Sequence, residues 1–229
     1  MQISMLKRTR QITYLGLLGL SPECDAALSA TLSSGWDSRY VNEGRDDGNE
    51  HSIVWIEAGL DWEQFCFTQL SMDGEDFKEH HSSLFYLSSL AEFEYGLGIN
   101  VVTLESDSDD LELHLEIGRE DYGFTWGLAA VHSKNMDGQF LMLSIEREFK
   151  FLEGRLSLIP NLHQGFDFGY RTDAYDGFSH VEAGIACHYQ LSEHLEVNAY
   201  VAHSWAQSDL NREGGSDLSW GGFAIAAGF

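Results

Sequence analysis

Apolar and polar residues alternate along most of the chain. In the segment LELHLEIG, the apolar residues from Leu111 to Ile117 share one face, and Glu112, His114 and Glu116 share the other. Successive side chains of a strand point to opposite faces, so this period of two predicts β-strands with one apolar and one polar face. The segments SIVWIEAGLDW and HVEAGIACHYQL show the same alternation, and no helical spacing of comparable length follows residue 30.

The alternating segments number about twelve, and most have the length of a strand in a membrane-spanning barrel. They are predicted near 31–42, 52–62, 64–72, 84–95, 99–105, 110–119, 123–133, 139–150, 154–168, 178–190, 194–206 and 217–229. The regions 84–105 and 150–170 can be divided in more than one way, so a count from about ten to about fourteen stays open.

The connections between these strands alternate in length. The long polar ones are EGRDDGNEH, DGEDFKEHH, FGYRTDAYDG and QSDLNREGGS, with the shorter SDSDD and KNMDG at the same end. Tight turns are predicted at Trp62–Glu63, GLG, EDY, LEG and SEH. Short periplasmic turns and long outer loops are typical of outer-membrane barrels. The fold class predicted is therefore all-β, an antiparallel transmembrane β-barrel with both termini at the periplasmic, short-turn end.

The first 30 residues have the three parts of a signal peptide. Basic residues between positions 7 and 10 precede the apolar run ITYLGLLGLS, and CDAALSA offers small residues for cleavage after Ala30 or Ala26. We therefore expect a signal peptide over 1–30 and a barrel over 31–229, located in the bacterial outer membrane and in contact with its lipid.

Acidic residues outnumber basic ones, with 37 Asp and Glu against 13 Lys and Arg and a net charge of −24. Nucleic acids are bound by basic surfaces, so this charge excludes them as partners. In a barrel, the same charge would attract cations to the lumen. A soluble periplasmic β-sandwich is an alternative, since the mean hydropathy is only −0.23.

The stretch SSGWDSRYVNEGRD places Ser38, Tyr40 and Gly44 ahead of an acidic first loop. It resembles the opening of the small TorF-type porins, a conserved family also described as Gcw-type. The likeness extends loosely over the strand spacing and the terminal Phe229, which resembles the signal that the outer-membrane insertion machinery reads. The resemblance implies a barrel of similar size with short periplasmic turns, and it assigns no catalytic or ligand residue.

The polar face of the predicted strands supplies the candidate site. The residues expected to line the lumen are Glu57, Asp61, Glu112, His114, Glu116, His180, Glu182 and His188. By the same parity Glu92, Glu94, Glu146, Glu148, Glu196 and Asn198 are expected to face inward. The eighth strand is ambiguous, because Phe140 and Met142 share a face with Glu146 and Glu148. Carboxylates with few basic partners favour a wet lumen, and a closed interior of paired polar groups is the alternative.

Hydrolase sites in barrels of this size place Ser and His two residues apart, so that both side chains point the same way. His132–Ser133 and His203–Ser204 are adjacent and therefore face opposite sides. His80-x-Ser82 and His81-x-Ser83 have the correct spacing, but they are predicted at a loop-to-strand junction without an Asn to orient the imidazole. We therefore expect no enzyme.

Other side-chain chemistry is weaker. His114 with Glu112 and Glu116, joined by His180 or His188, has metal-ligand residue types, but such residues are also ordinary lumen filler, so no metal or other cofactor is predicted. The six Trp residues are interpreted as interfacial girdles, with sugar stacking by the inward Trp55 and Trp220 as a minor alternative. Cys66 and Cys187 are both expected to face outward as small apolar residues.

Together these patterns predict a small outer-membrane channel or porin that passes small solutes or cations through an acidic lumen without catalysis. Two alternatives stay open. The first is a closed structural barrel whose acidic loops, ESDSDD among them, bind divalent cations or partners at the surface. The second is a lipid-modifying hydrolase.

Overall fold

The computed structural model of the chain describes residues 28–75, 77–105, 109–171 and 176–229. Residues 1–27, which hold nearly all of the predicted signal peptide, lie outside the described residues. None of the helices in the described ranges is long and apolar enough to cross a membrane.

The described residues form a closed antiparallel barrel of twelve strands. These strands are β1 (Ser29–Asp37), β4 (Ile53–Trp62), β5 (Phe65–Gly74), β6 (Phe77–Leu90), β7 (Phe93–Leu104), β8 (Asp110–Asp121), β9 (Phe124–Ser133), β10 (Gly138–Glu146), β12 (Leu156–Phe168), β13 (Asp176–Ser192), β14 (Leu195–Ala206) and β15 (Leu218–Gly228). Strand β11 (Phe149–Phe151) continues β10 along β12, where it pairs from Phe149↔Leu158 to Phe151↔Leu156. Two smaller strands, β2 (Val41–Asn42) and β3 (Arg45–Asp46), pair outside this ring, and the described residues also include a 3-10 turn at Leu152–Gly154 and a short helix α1 (Ser208–Arg212). The closed barrel excludes the β-sandwich alternative.

Two pairings close the ring. Strand β1 pairs with β15 from Thr31↔Gly228 to Asp37↔Gly222, and β10 pairs with β12 from Phe140↔Asp167 to Glu146↔Asn161. The backbone of Phe229 exchanges two hydrogen bonds with Ala30, so both ends of the described chain lie at the same rim. That rim carries the short turns, which identifies it as the periplasmic end of such a barrel.

The turns account for most of the predicted boundaries. Tyr122 and Gly123 both have positive φ, which matches the two-residue hairpin turn that suits twisted strands. The predicted turns at Trp62–Glu63, EDY, LEG and SEH lie within two residues of the observed ones.

Two predicted features between residues 73 and 105 are wrong. Strands β6 and β7 span 77–90 and 93–104 rather than 84–95 and 99–105, and they turn at Ala91–Glu92. The glycines of GLG lie inside β7, where Gly98 accommodates the ring of Phe85, and they make no turn. The predicted long loop DGEDFKEHH is mostly strand, because β5 and β6 pair as far as Gly74↔Phe77.

The exterior of the barrel is apolar. Large exposed residues cover it at alternate strand positions, including Val54, Ile56, Leu97, Ile99, Leu113, Ile185, Val201 and Ile225. Aromatic residues lie near both rims, with Trp62, Phe65, Trp126 and Phe229 at the short-turn end and Trp36, Phe168, Phe178 and Trp205 at the long-loop end. An apolar belt between aromatic girdles is the surface of a barrel in the outer membrane, the location that the sequence predicts. Trp55 and Trp220 are not part of the girdles, because both are buried inside.

Candidate functional site: the barrel interior

The inner wall of the barrel is acidic. Carboxylates at inward positions of the strands include Asp37, Glu57, Asp61, Glu79, Glu94, Glu112, Glu116, Glu146, Asp167, Glu182 and Glu196. The twelve barrel strands contain two basic residues other than His, Lys78 and Arg119, and both point outward. Lys150 of β11 lies opposite the inward-facing Ser157 at the short-turn rim, 3.4 Å from Glu148. The described wall therefore contributes many carboxylates and histidines to the interior and one Lys at its rim.

The predicted lumen residues fall into two groups. Glu112, His114, Glu116, His180, Glu182 and His188 are buried inside the barrel. Glu57 and Asp61, on β4 toward the short-turn end, are partly exposed. Glu94, Glu146, Glu196 and Asn198 also lie on inward positions.

One predicted inward residue is placed differently. Glu92 lies in the β6–β7 turn, where its carboxylate is 2.9 Å from the guanidinium of the outward-facing Arg119. The displaced β6–β7 turn explains this error. Glu148 lies between β10 and β11, and its carboxylate accepts a hydrogen bond of 2.6 Å from the inward-facing Ser157.

The inner face of the eighth barrel strand, β10, which the sequence left ambiguous, carries both apolar and acidic residues. Phe140 and Met142 point inward and pack with Ala129, Val131 and Tyr170 as a buried apolar cluster. Glu146 lies on the same face, four residues beyond Met142 toward the periplasmic rim. The inner wall thus changes from apolar to acidic along one strand.

The first long loop fills the outer half of the interior. We call residues 38–52, with the hairpin β2–β3, loop L1. Tyr40 of L1 is buried against Ile53, Trp55, Leu70 and Met72, which are inward residues of β4 and β5. A Cβ atom added to Gly44 would lie 2.6 Å from the ring of His180, so the tip of L1 lies against the opposite wall. Gly44 has a φ of 81°, a conformation that other residues adopt only with strain.

Charged groups hold L1 in this position. The guanidinium of Arg45 lies among three carboxylates, 3.1 Å from Asp167, 3.5 Å from Asp209 and 2.9 Å from Glu213. Arg171 of the β12–β13 loop forms an ion pair with Asp47 of L1. Burial raises the pKa of Glu43 and Asp47 above their ordinary values, although Arg171 opposes the shift at both groups. L1 therefore brings both charges and apolar side chains into the interior.

A hydrogen-bonded network of acidic residues, His and Asn lies beneath L1. Glu112 accepts hydrogen bonds from Asn100 at 2.8 Å and from Tyr170, and it lies 3.1 Å from the imidazole of His114. His81 contacts Asn100 at 2.9 Å through Nδ1 and Glu79 through Nε2. These contacts join β6, β7, β8 and the β12–β13 loop across the interior.

The structure corrects the placement of the His-x-Ser pairs. Both pairs lie in β6 rather than at a loop junction, and Asn100 of β7 does lie beside His81 and Ser83. The hydroxyl of Ser83, however, donates to Asn100 at 2.9 Å, and no hydrogen bond joins it to His81 in the described structure. His80 and Ser82 face outward. The adjacent pairs His132–Ser133 and His203–Ser204 do face opposite sides.

The inner half of the interior, toward the short turns, contains no inserted loop among the described residues. Glu57, Asp61, Glu94 and Glu146 lie there beside small wall residues, and each is partly exposed. Cys66 was predicted to face outward, but it faces inward opposite Asp61 and is almost fully buried, because β5 turns its apolar and polar residues to both faces. Cys187 faces outward as predicted, and no disulfide joins the two thiols.

Among the described residues, no group of three or more His, Cys, Asp or Glu side chains is arranged to hold a metal ion. His114, weighed in the sequence as the centre of such a group but not predicted to bind metal, lies within hydrogen-bonding distance of Glu112. The ESDSDD segment includes residues 106–108, which lie outside the described residues.

The fold is similar to solved outer-membrane barrels. The KdgM porin covers 87% of this chain and 99% of its own with a TM-score of 0.62 at 8% identity, and one KdgM structure contains a disordered oligogalacturonate. The NanC porin covers 87% of this chain and 99% of its own with a TM-score of 0.55 at 10% identity. LpxR from Salmonella typhimurium gives the same coverage and TM-score, also at 10% identity. At these identities the likeness establishes the fold.

No protein-family model matches the chain. No curated protein matches its sequence either. The resemblance to the TorF-type porins therefore stays a prediction, while the closed twelve-stranded barrel itself is established by the structure.

Proposed function

We propose that this protein is a small outer-membrane channel that passes small solutes and prefers cations. The observation that carries the proposal is the inner wall, where strand after strand contributes carboxylates and the one Lys on the described wall is Lys150 at the short-turn rim. A channel lined by one sign of charge concentrates the opposite sign of mobile ion and excludes its own.

The acidic wall also favours some classes of solute over others. Oligogalacturonate, present in one KdgM structure, is an acidic oligosaccharide. An acidic wall would repel it, so we propose neutral or cationic solutes for this barrel rather than acidic sugars.

The path would be wide at the short-turn end and narrow where L1 lies against His180. We therefore expect a small conductance in the resting state, limited by the space beside L1. Movement of L1 away from the wall would enlarge it.

Single-channel recording of refolded 31–229 in a planar bilayer, with a salt gradient across it, tests the proposal. A steady conductance with a reversal potential that favours cations is expected. The combined variant Glu57→Gln/Asp61→Asn/Glu146→Gln should shift that potential toward zero, because it removes three wall charges.

A matched control removes the same number of charges from positions off the wall. Glu63, Glu153 and Glu193 lie in short turns at the periplasmic rim. Glu63→Gln/Glu153→Gln/Glu193→Gln should leave the reversal potential nearly unchanged. A channel that favours anions, or one in which both sets of variants act alike, would refute the proposed role of the wall.

The second candidate is a closed barrel that acts as a structural or surface-interaction protein. The packing of L1, Tyr170 and the Phe140 cluster in the outer half favours it. Inserted protein that gives no conductance, in the wild type and in a variant with L1 shortened, would support this candidate over the channel.

We propose no catalysis. The hydroxyl of Ser83 donates to Asn100 rather than to His81, so the serine lacks the base that a hydrolase needs. Incubation with phospholipid and with lipopolysaccharide, followed by analysis of released fatty acid, tests this; release that Ser83→Ala abolishes would contradict it.

A further inference from the structure

The carboxylates around Arg45 come from separate parts of the chain, and we call the site that they form the Arg45 pocket. Asp167 comes from the outer end of β12, Asp209 from helix α1 and Glu213 from the residues after that helix. Glu213 accepts hydrogen bonds of 2.9–3.1 Å from Arg45 through both of its oxygens, while Asp209 lies 3.5 Å from the same guanidinium. Arg45 reaches the pocket from L1, more than 100 residues away in sequence.

The pocket has more negative charge than Arg45 neutralises. Three carboxylates face one guanidinium, and the side chains of Asp167 and Asp209 are 0% exposed. Asp209 Oδ1 has no hydrogen-bond partner in the described structure. Asp167 Oδ2 lies 3.1 Å from Arg45 but outside hydrogen-bonding geometry, so it too lacks a donor. A buried carboxylate oxygen without a donor is costly, so the pocket has unused capacity for a cation.

We propose that this pocket binds small organic polycations through their primary ammonium or guanidinium groups, and that Arg45 is a tethered occupant of the same site. The occupant identifies the chemistry, because a planar guanidinium already lies between the carboxylates. The unused oxygens of Asp167 and Asp209 supply acceptors for a further N–H donor. This inference goes beyond the proposed channel and does not require that the barrel conducts.

Loop L1 holds the guanidinium of Arg45 in the pocket, so any ligand has to compete with it. A short flexible tether gives a group an effective concentration of about millimolar. A solute with one positive charge must compete with Arg45 at that level. A solute with several amino groups can use the unoccupied acceptors at the same time, so polyamines should bind better than monoamines.

Isothermal titration calorimetry of the refolded barrel in detergent, with spermidine as the probe, tests the proposal. We expect saturable binding to the wild type, and binding roughly tenfold tighter to Arg45→Ala, because the tethered competitor is gone. Arg39→Ala is the matched control. Arg39 is also in L1, but it pairs with Asp46 and Glu50 outside the pocket, and its loss should leave spermidine binding as in the wild type.

The pocket variants complete the experiment. Asp209→Asn/Glu213→Gln should abolish saturable binding, with folding checked by circular dichroism and by heat-dependent migration on gels. Glu213→Gln alone changes a partly exposed side chain, and it should weaken binding several-fold if the double variant does not fold.

Three results would overturn the proposal. They are equal affinity of Arg45→Ala and the wild type, binding that persists in the folded pocket variants, and magnesium chloride binding to the same pocket as tightly as spermidine. The last result would indicate a site for a divalent metal ion instead of an organic cation. Because calorimetry measures binding alone, a barrel that does not conduct leaves this test intact.

Discussion

The two halves of the barrel interior are built by different means. The outer half is filled by L1, whose Arg45 and Asp47 form ion pairs with residues that lie far away in sequence. The inner half is lined by the strands alone, with Glu57, Asp61 and Glu146 partly exposed at inward positions. Both halves are acidic. Loop arginines balance part of the charge in the outer half, and Lys150 lies beside Glu148 at the rim of the inner half.

Because of this difference, we expect the charges of the outer half to affect the stability of the fold and those of the inner half to affect ion selectivity. Charges in the outer half are buried and hydrogen-bonded, so their removal leaves partners unsatisfied and destabilises the fold. Charges in the inner half are closer to solvent and contribute mainly to the electrostatic potential of the lumen. Variants in the two halves should therefore have different consequences.

The largest expected effect comes from crowding the tip of L1. Gly44 and Gly154 both have positive φ, but only Gly44 lies against a side chain, that of His180. Alanine at either site should cost about 1–2 kcal/mol for the backbone conformation. Gly44→Ala should lose about 1–3 kcal/mol more and raise the conductance, since the added methyl group forces L1 away from the wall.

Denaturant unfolding in detergent, together with single-channel recording, measures both consequences. Gly154→Ala is the control, because its Cβ would meet no atom within 4 Å. Equal losses for the two variants, with unchanged conductance, would mean that L1 does not occupy the interior.

The next effect compares one carboxylate from each half. Glu112 accepts hydrogen bonds from Asn100 and Tyr170 and contacts His114, so Glu112→Gln should lower the free energy of unfolding by about 1.5–3 kcal/mol. Asp61→Asn should change it by about 0.5 kcal/mol or less, as for an ordinary partly exposed position.

The reversal potential should respond in the opposite order. Asp61→Asn should reduce the preference for cations, whereas Glu112 lies within a paired network. If Asp61→Asn proves as destabilising as Glu112→Gln, the inner half is packed like the outer half, and the contrast between the two halves fails.

The alternation of residues was sufficient to predict the barrel, the strand count and the inward side of β8, because a period of two assigns a face to every residue once one face is known to be apolar. It failed between residues 73 and 105, where Gly96 and Gly98 were interpreted as a turn but lie inside β7, with Gly98 against the ring of Phe85. It also failed at Cys66, on a strand with apolar residues on both faces.

The insertion of L1 could not be predicted, since no periodic pattern links a loop to the wall that it contacts. Its contacts join residues such as Arg45 and Asp209, whose proximity depends on closure of the whole barrel. Gly44 was noted as part of a family resemblance, but its role against His180 became evident only in the structure. Strand chemistry was thus predictable, and loop packing was not.

The smallest expected effect is a pH dependence confined to the outer half. Burial raises the pKa of Asp209 to about 6, and the nearby Glu213, Asp167 and Asp176 add to the shift while Arg45 opposes it. In the unfolded chain the same group has its ordinary value of 3.8, so the folded state binds more protons between these two values. This contribution to stability is complete below the lower value and is lost as the pH rises through about 6.

Asp209→Asn should therefore flatten the decrease in unfolding free energy between pH values of about 4 and 7, relative to the wild type. Asp61→Asn, in the inner half, should leave the difference between those pH values unchanged. Denaturant unfolding of the three proteins across this range measures the effect. If the unfolding free energies of the wild type and Asp209→Asn run parallel across this pH range, Asp209 does not bind the additional proton. Another carboxylate near Arg45 would then have to bind it.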